Sequence, residues 1–396
     1  MKLLCIFILV IASLCFNTTT RAAQENEPDW GSFIETEIEE QAGALDLNEW
    51  RKFLSGVEDW QRLVLPNNDV NDMVADLALG RFEFNAAKLI EQAAYSLYGG
   101  ILHNLSFIAK IMALAIVCGV IRNMKDSLHN ESVGEVVFFA CYATIILLLI
   151  QSFMPVIDDA NQAIMRMVQF MQILFPILVA FLVAVGGVVS SSIMQPAIAM
   201  MVGLTGAILR NVMMPLILIS FVVVLVNHLS DKIRLNSLSD LLNNLCVWML
   251  GGIFTIFVGV LTVQGAIAAT FDGVSVRTAK YAIDAFVPIV GGMFSQAVDI
   301  VIGCSLMLKN AIGIAGLLIL GLISIHPAMS VLSLIAAYKI SGALLEPVTD
   351  ERVVDCLNGV GNVMMMLFIC IVGTAIMFFI VVTLLVAAGN MTVMMR

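Results

Sequence analysis

Residues 271–316 read FDGVSVRTAKYAIDAFVPIVGGMFSQAVDIVIGCSLMLKNAIGIAG. This stretch lies between two long apolar blocks, and runs of hydrophobic residues separate its few charged side chains. A charged side chain in lipid costs free energy, so a few charges separated by long apolar runs are typical of a membrane protein. The stretch therefore predicts membrane-spanning helices on both sides of it. The charges concerned are Arg277, Lys280, Asp284, Asp299 and Lys309.

The composition of the whole chain supports the same class. Of the 396 residues, 60% are hydrophobic and only 13% are charged, whereas about a quarter of a soluble domain is charged. The net charge of −10 is concentrated in residues 23–100, which hold 16 acidic and 5 basic side chains. The chain offers no basic face to neutralise phosphates, which argues against nucleic acid as a partner. The sequence predicts an all-α, multi-pass membrane protein with a small acidic domain.

The first residues, MKLLCIFILVIASLCFNTTTRAA, have the organisation of a secretory signal peptide. One lysine precedes an apolar run, and small residues flank Arg21 at the predicted cleavage point after Ala22. Residues 1–22 are therefore predicted to be removed, the alternative being an uncleaved anchor. Either way, residues 23–100 are predicted to be exported.

The exported segment is predicted to be a small helical domain. Apolar residues from Leu47 to Val64 recur every three or four positions and end at Pro66, which indicates an amphipathic helix. Two further helices are predicted, one over residues 70–79 and one that begins at Asn85 and ends at Gly99-Gly100. The stripe that contains Trp50 and Trp60 either forms the core of this domain or docks on a partner or the membrane surface.

Beyond residue 100 the apolar runs predict about 8–10 spans, of which residues 101–157 supply the first two. Several runs are shorter than a bilayer requires, so residues 173–209 and 286–325 could instead form re-entrant or surface-lying hairpins. With the N-terminus outside, the loops rich in arginine and lysine fall inside, a small positive-inside bias. These cytoplasmic charges are Arg122, Lys125, Lys232, Arg234 and Arg352.

Proline spacing suggests a tandem repeat. Pro176 and Pro215 are 39 residues apart, as are Pro288 and Pro327, and the two pairs are offset by 112 residues. The repeat units would be residues 158–269 and residues 270–396, the second with a C-terminal tail. An even number of spans in each would make the copies parallel, with the prolines marking helix breaks. Chance placement of prolines in a compositionally narrow sequence is the alternative.

Five polar side chains within the apolar region form a candidate intramembrane pathway. Charged groups there usually pair, face water or extend to the bilayer surface. Asp299 and Lys309, ten residues apart, could meet across a hairpin near Cys304. The alternative is that the lysines lie near span ends and that the arginine occupies a short turn. The candidates are Asp299, Lys309, Lys110, Arg210 and Gln296.

Catalytic and metal-binding patterns are absent from the sequence. It has no glycine-rich phosphate loop, no His-Glu-x-x-His and no Gly-x-Ser-x-Gly. The cysteines are scattered among apolar segments without zinc or disulfide spacing, and the four histidines share no helical face. The sequence therefore predicts no cofactor, no metal site and no enzymatic activity.

Four stretches resemble the stage III sporulation protein AE family of endospore-forming bacteria, and the likeness extends over nearly the whole chain. They are TAKY at residues 278–281, FVPIVGGMF at 286–294, SLMLKNA at 305–311 and GNMTVMMR at 389–396. The resemblance implies a protein of the mother-cell membrane around the forespore, within a multi-protein channel similar to secretion systems. It also implies partners: sister subunits, a secretion-type ATPase and ring-forming proteins of the intermembrane space. It supplies no catalytic residue.

Three functional hypotheses are consistent with the sequence. The first is a non-enzymatic subunit of a sporulation-specific channel or export apparatus, needed for late forespore gene expression. The second is a self-contained secondary transporter with a site near Asp299 and Lys309. The third is a scaffold that assembles the apparatus without lining a path, which the sequence does not distinguish from the first.

Overall fold

A computed structural model describes residues 30–43, 47–55, 70–82, 86–125, 131–228, 235–286 and 291–394 of the chain. Throughout these residues the regular elements are helices, which confirms the all-α prediction. Three of them are short and precede the apolar part of the chain. They are α1 (Trp30–Gly43), α2 (Asn48–Ser55) and α3 (Val70–Ala78).

The remaining helices are long and apolar. Within the described residues, six helical segments are long and apolar enough to cross a membrane. One of these segments consists of two α-helices joined by a π-helical turn at Leu209–Met213. The helices are α4 (Ala86–Lys125), α5 (Glu131–Ala184), α6 (Val188–Ile208), α7 (Met214–Asn227), α8 (Asn236–Phe286), α9 (Gly291–Leu345) and α10 (Glu351–Met394).

The last two helices form an antiparallel hairpin around which the others pack. Near the turn between them, Lys339 Nζ donates to Asn362 Oδ1 at 2.9 Å. At the far end, Lys309 Nζ donates to the Val386 carbonyl at 2.8 Å. About 30 residues of α9 separate the two lysines, so the hairpin is paired over roughly 45 Å of its length.

Close approach of α5 and α6 to their neighbours depends on glycines. A Cβ added at Gly316 of α9 would lie 2.5 Å from the Leu174 side chain of α5, and one at Gly206 of α6 would lie 2.8 Å from Val168. Small residues are how membrane helices approach when lipid is as apolar as their side chains. Aromatic contacts add to this packing, since the rings of Phe153 and Phe221 stack with centroids 3.7 Å apart.

Neighbouring apolar runs that the sequence separates into different spans are joined in the structure. The runs at 136–156 and 173–190 belong largely to the single helix α5, and those at 304–325 and 327–345 to α9. The predicted breaks at Pro176 and Pro327 are absent, because both prolines lie inside continuous helices held by packing on either side. The 8–10 predicted runs therefore form six long segments.

These helices are longer than a bilayer is thick. With 54 residues, α5 extends over about 80 Å, whereas the hydrocarbon core measures about 30 Å. Part of each long helix must therefore lie outside the hydrocarbon or run obliquely through it. The usual length of a membrane span, about 20 residues, therefore does not predict where the helices of this fold begin and end.

The N-terminal helices agree with the sequence in part. Helix α3 follows the prediction, and Gly80 after it has a φ of 69°, a left-handed conformation that favours glycine. The predicted stop at Gly99-Gly100 is wrong, because α4 continues through it to Lys125. Glycine inside a helix costs only about 1 kcal/mol, and Gly100 lies against Ser333 of α9, where an added Cβ would be 2.6 Å from the serine Oγ.

The Trp50 stripe joins the N-terminal helices to the long ones. Trp50 is fully buried, and its ring lies 5.6 Å from that of Phe170 on α5. The core interpretation of this stripe holds for Trp50, although the core it enters is shared with a long apolar helix. Trp60, Pro288 and the predicted signal peptide lie outside the described residues.

Candidate functional site: a buried lysine between the last two helices

Lys309 is the most unusual charged residue of the described part. Its side chain is 0% exposed, and its ammonium donates a hydrogen bond to the backbone carbonyl of Val386 at 2.8 Å. The ammonium lies directly against Gly389, where an added Cβ would overlap Nζ. A buried charge without a counter-charge costs several kcal/mol, so this placement is expensive for the fold.

Unpaired amide oxygens lie at the same end of the bundle as Lys309. The Oδ1 atoms of Asn310 on α9 and Asn390 on α10 are buried and have no hydrogen-bond donor among the described residues. Gln264 Oε1 on α8 is also buried and has no hydrogen-bond donor among the described residues. Gln264 follows Phe257 by two helical turns, and Phe257 contacts Phe378 of α10. Gln264 therefore lies at about the height at which Lys309 contacts α10.

The N-terminal helices reach the same end of α9. Ser305 Oγ donates to Gln41 Oε1 of α1 at 3.5 Å, the long limit of a hydrogen bond. Ser305 precedes Lys309 by one helical turn on nearly the same face. The buried lysine therefore lies next to the place where the acidic N-terminal segment packs on the apolar helices.

The other predicted pathway residues do not join Lys309. Lys110 is exposed on α4, and Arg210 is exposed on the π-helical turn. Asp299 and Gln296 belong to α9, but their side chains lie outside the described residues. Because α9 is continuous, Asp299 is about 15 Å from Lys309 along one helix, and the predicted meeting across a hairpin near Cys304 does not occur.

Of the predicted prolines, Pro215 has the clearest local effect. It lies in the first turn of α7, directly after the π-helical turn, so the hydrogen bond that its missing backbone N–H cannot make falls beside this irregularity of the helix. Pro288 lies outside the described residues, so the tandem repeat remains a prediction.

Sequence reasoning did not single out Gly389, Asn390 and Asn310 as site residues. The signal was present, because these residues belong to two of the stretches that carry the family resemblance. Residues 305–311 and 389–396 are far apart in sequence, and the contact of Lys309 with Gly389 brings them together. Only the antiparallel pairing of α9 with α10 shows this.

The chemistry available at this end of the bundle is limited to hydrogen bonding and charge. Among the described residues, no group of three or more His, Cys, Asp or Glu side chains is placed to hold a metal ion. The six described cysteines are free thiols. Fold and site together define a multi-pass helical membrane protein with a buried cation between its last two helices.

Comparison with known proteins narrows this class. The family model described as stage III sporulation protein AE matches residues 68–389. The chain is also 31% identical over 389 residues to "Stage III sporulation protein AE" of Bacillus subtilis (strain 168), covering 98% of this chain and 97% of that protein. No solved structure matches the chain. The chain belongs to the stage III sporulation protein AE family.

Proposed function

We propose that the protein is a non-enzymatic membrane subunit of a sporulation-specific channel or export apparatus between mother cell and forespore. In this role it supports late gene expression in the forespore and thereby spore formation. The observation that carries the proposal is the family membership over nearly the whole chain. The six long apolar segments support it, because they provide a membrane-embedded body.

The proposed location is the mother-cell membrane that surrounds the forespore. The predicted signal peptide and the small positive-inside bias of the basic loops support the proposal that the acidic N-terminal segment lies in the intermembrane space. Helices α1 to α3 pack on α5 and α9, so this segment stays with the membrane body. We propose that it meets ring-forming proteins of that space, while sister subunits and a secretion-type ATPase supply assembly and energy.

Deletion of the gene in the bacterium that encodes it tests this function. The expected result is completed engulfment, small forespores, failed late forespore reporter expression and few heat-resistant spores. Complementation with the intact gene must restore spore yield. Normal spore yield in the deletion strain would overturn the proposal.

A second candidate function, a self-contained secondary transporter, is favoured by the burial of Lys309. An uncompensated cation in a membrane helix is a common mark of a substrate or ion path. Its site would lie near Lys309, at the level of the unpaired oxygens of Asn310 and Asn390, and Asp299 would lie about 15 Å away along α9.

Reconstitution separates the two candidates. A transporter moves solute in vesicles that contain only this protein, and Lys309→Gln abolishes the uptake. An apparatus subunit is inert alone and co-purifies with partners from sporulating cells. Uptake by the purified protein, coupled with normal sporulation of the deletion strain, would replace the first function by the second.

A further inference from the structure

Two of the described cysteines lie against each other at one end of the bundle. Cys118 belongs to α4 and Cys141 to α5, and their thiols are within hydrogen-bonding distance of each other. Cys118 is fully buried, whereas Cys141 is partly exposed. We name these two residues the thiol pair.

The register of α4 and α5 places both cysteines at the same height. The ring of Phe107 lies 5.8 Å from the ring of Tyr338 on α9, and Ser152 Oγ lies 2.6 Å from the Tyr338 hydroxyl. Cys118 follows Phe107 by eleven residues, and Cys141 precedes Ser152 by eleven residues. Because α4 and α5 pack antiparallel, both cysteines lie about 16 Å from Tyr338 toward the same end. The packing of three helices therefore brings the two thiols together.

The thiol pair lies beside the turn that joins α9 to α10. The Thr349 hydroxyl of that turn donates to the Ala115 carbonyl, about one helical turn before Cys118. The charges predicted to be cytoplasmic lie at this end of the bundle, among them Arg352 in the first turn of α10. Thiols are kept reduced in the cytoplasm, so the pair is present there as two free thiols until an oxidant reacts with it.

We propose that the thiol pair is a site of reversible oxidation, at which a peroxide joins Cys118 and Cys141 in a disulfide. Hydrogen peroxide transfers one oxygen to the more exposed Cys141 sulfur, which becomes a sulfenic acid, and one water leaves. The Cys118 sulfur then attacks the Cys141 sulfur, so that an S–S bond forms, the S–O bond breaks and a second water leaves. The two thiols lose two electrons to the peroxide, and their protons leave in the two waters. The inference does not rest on the sporulation role.

The disulfide fixes α4 to α5. Helix α4 connects the N-terminal helices to the rest of the described chain, so the bond holds this connection against the bundle. A disulfide also closes a loop of the chain and thereby lowers the conformational entropy of the unfolded state. Oxidation should therefore raise the resistance of the protein to unfolding.

A second pair of cysteines supplies a matched control. Cys246 of α8 and Cys370 of α10 are close enough to interact electrostatically, but both are buried. Oxidation begins at a sulfur that the oxidant can reach, and neither of these two is exposed in the way that Cys141 is. We expect Cys246 and Cys370 to stay reduced.

Oxidation of the full-length protein in membranes tests the site. Membranes are treated with hydrogen peroxide, free thiols are alkylated, and the protein is digested without reduction for mass spectrometry. We expect a disulfide-linked peptide pair that contains Cys118 and Cys141, loss of both thiols to alkylation, and recovery of both after treatment with dithiothreitol. The midpoint of thermal unfolding should rise on oxidation and return on reduction.

Serine variants identify the bond. Cys118→Ser and Cys141→Ser should each remove the linked peptides and the rise of the midpoint. In Cys118→Ser the Cys141 sulfenic acid has no thiol to condense with and should be trapped by dimedone. The wild-type result decides the outcome even where a serine variant fails to fold. Wild-type protein without the linked peptides, a bond from Cys141 to another cysteine, or equal oxidation of Cys246 and Cys370 would each overturn the proposal.

Discussion

Helices α8 and α10 are both long and apolar, yet they have opposite positions in the fold. In the most apolar 18-residue window of each, 17% of α8 is buried against 61% of α10. Glycines show the same contrast. A Cβ added at Gly252 or Gly259 of α8 would meet nothing within 4 Å, whereas one at Gly359 or Gly389 of α10 would overlap a neighbouring side chain. Apolar composition alone therefore does not separate a packed helix from a peripheral one.

The largest effect expected from this contrast concerns aromatic packing. Phe378 of α10 is 0% exposed, so Phe378→Ala should lower the free energy of unfolding by about 3–5 kcal/mol through lost contacts and a cavity. Ile256→Ala on α8, where the side chain is 63% exposed, should change it by less than about 0.5 kcal/mol. Thermal unfolding in detergent measures both. Equal losses would remove the distinction between the two helices.

Glycine substitution tests close approach directly. Gly389→Val places a side chain on Lys309 Nζ, and overpacking of this kind should cost about 1–3 kcal/mol. The matched change Gly259→Val meets open space and should be tolerated, with only the small helix-propensity change. The comparison is read from the midpoint of thermal unfolding. A destabilised Gly259→Val with an unaffected Gly389→Val would contradict the packing described here.

Removal of the buried charge of Lys309 should stabilise the protein, in contrast to the two preceding changes. Lys309→Met keeps the length of the side chain and removes an uncompensated cation, so the free energy of unfolding should rise by about 1 kcal/mol. Lys110→Met, at an exposed lysine, should have no such effect. If Lys309 has a functional role, spore yield falls although stability rises. If the Lys309→Met protein is stable and spore yield is unchanged, Lys309 has no functional role in sporulation.

The smallest effect on stability is expected at Trp248. This side chain is 79% exposed on α8, so Trp248→Phe should leave unfolding unchanged. Its exposure predicts contact with lipid, and brominated lipids should quench a fluorescence component that is absent from the variant. Trp50, which is fully buried, should contribute an unquenched component. Identical quenching in the wild type and Trp248→Phe would show that another protein surface covers this face.

Part of the candidate site could be read from the sequence. Lys309 was identifiable because a lysine in an apolar run is rare and costly. The groups that contact Lys309 could not be identified in this way. They are the backbone carbonyl of Val386 and the Cα of Gly389, and nothing about a valine or a glycine in an apolar run indicates such a contact. Asp299 was the expected partner, but that expectation required a hairpin near Cys304, and α9 is one continuous helix.

The sequence by itself determined the all-α class and the membrane character, because both follow from apolar content and helical periodicity, which are local properties. The helix at residues 70–78 and the left-handed glycine after it were local as well. The tertiary structure alone decided that α4 continues through Gly99-Gly100 and that α5 and α9 continue through their prolines. It also decided the meeting of Lys309 with Gly389, because such outcomes depend on contacts between residues that are distant in the chain.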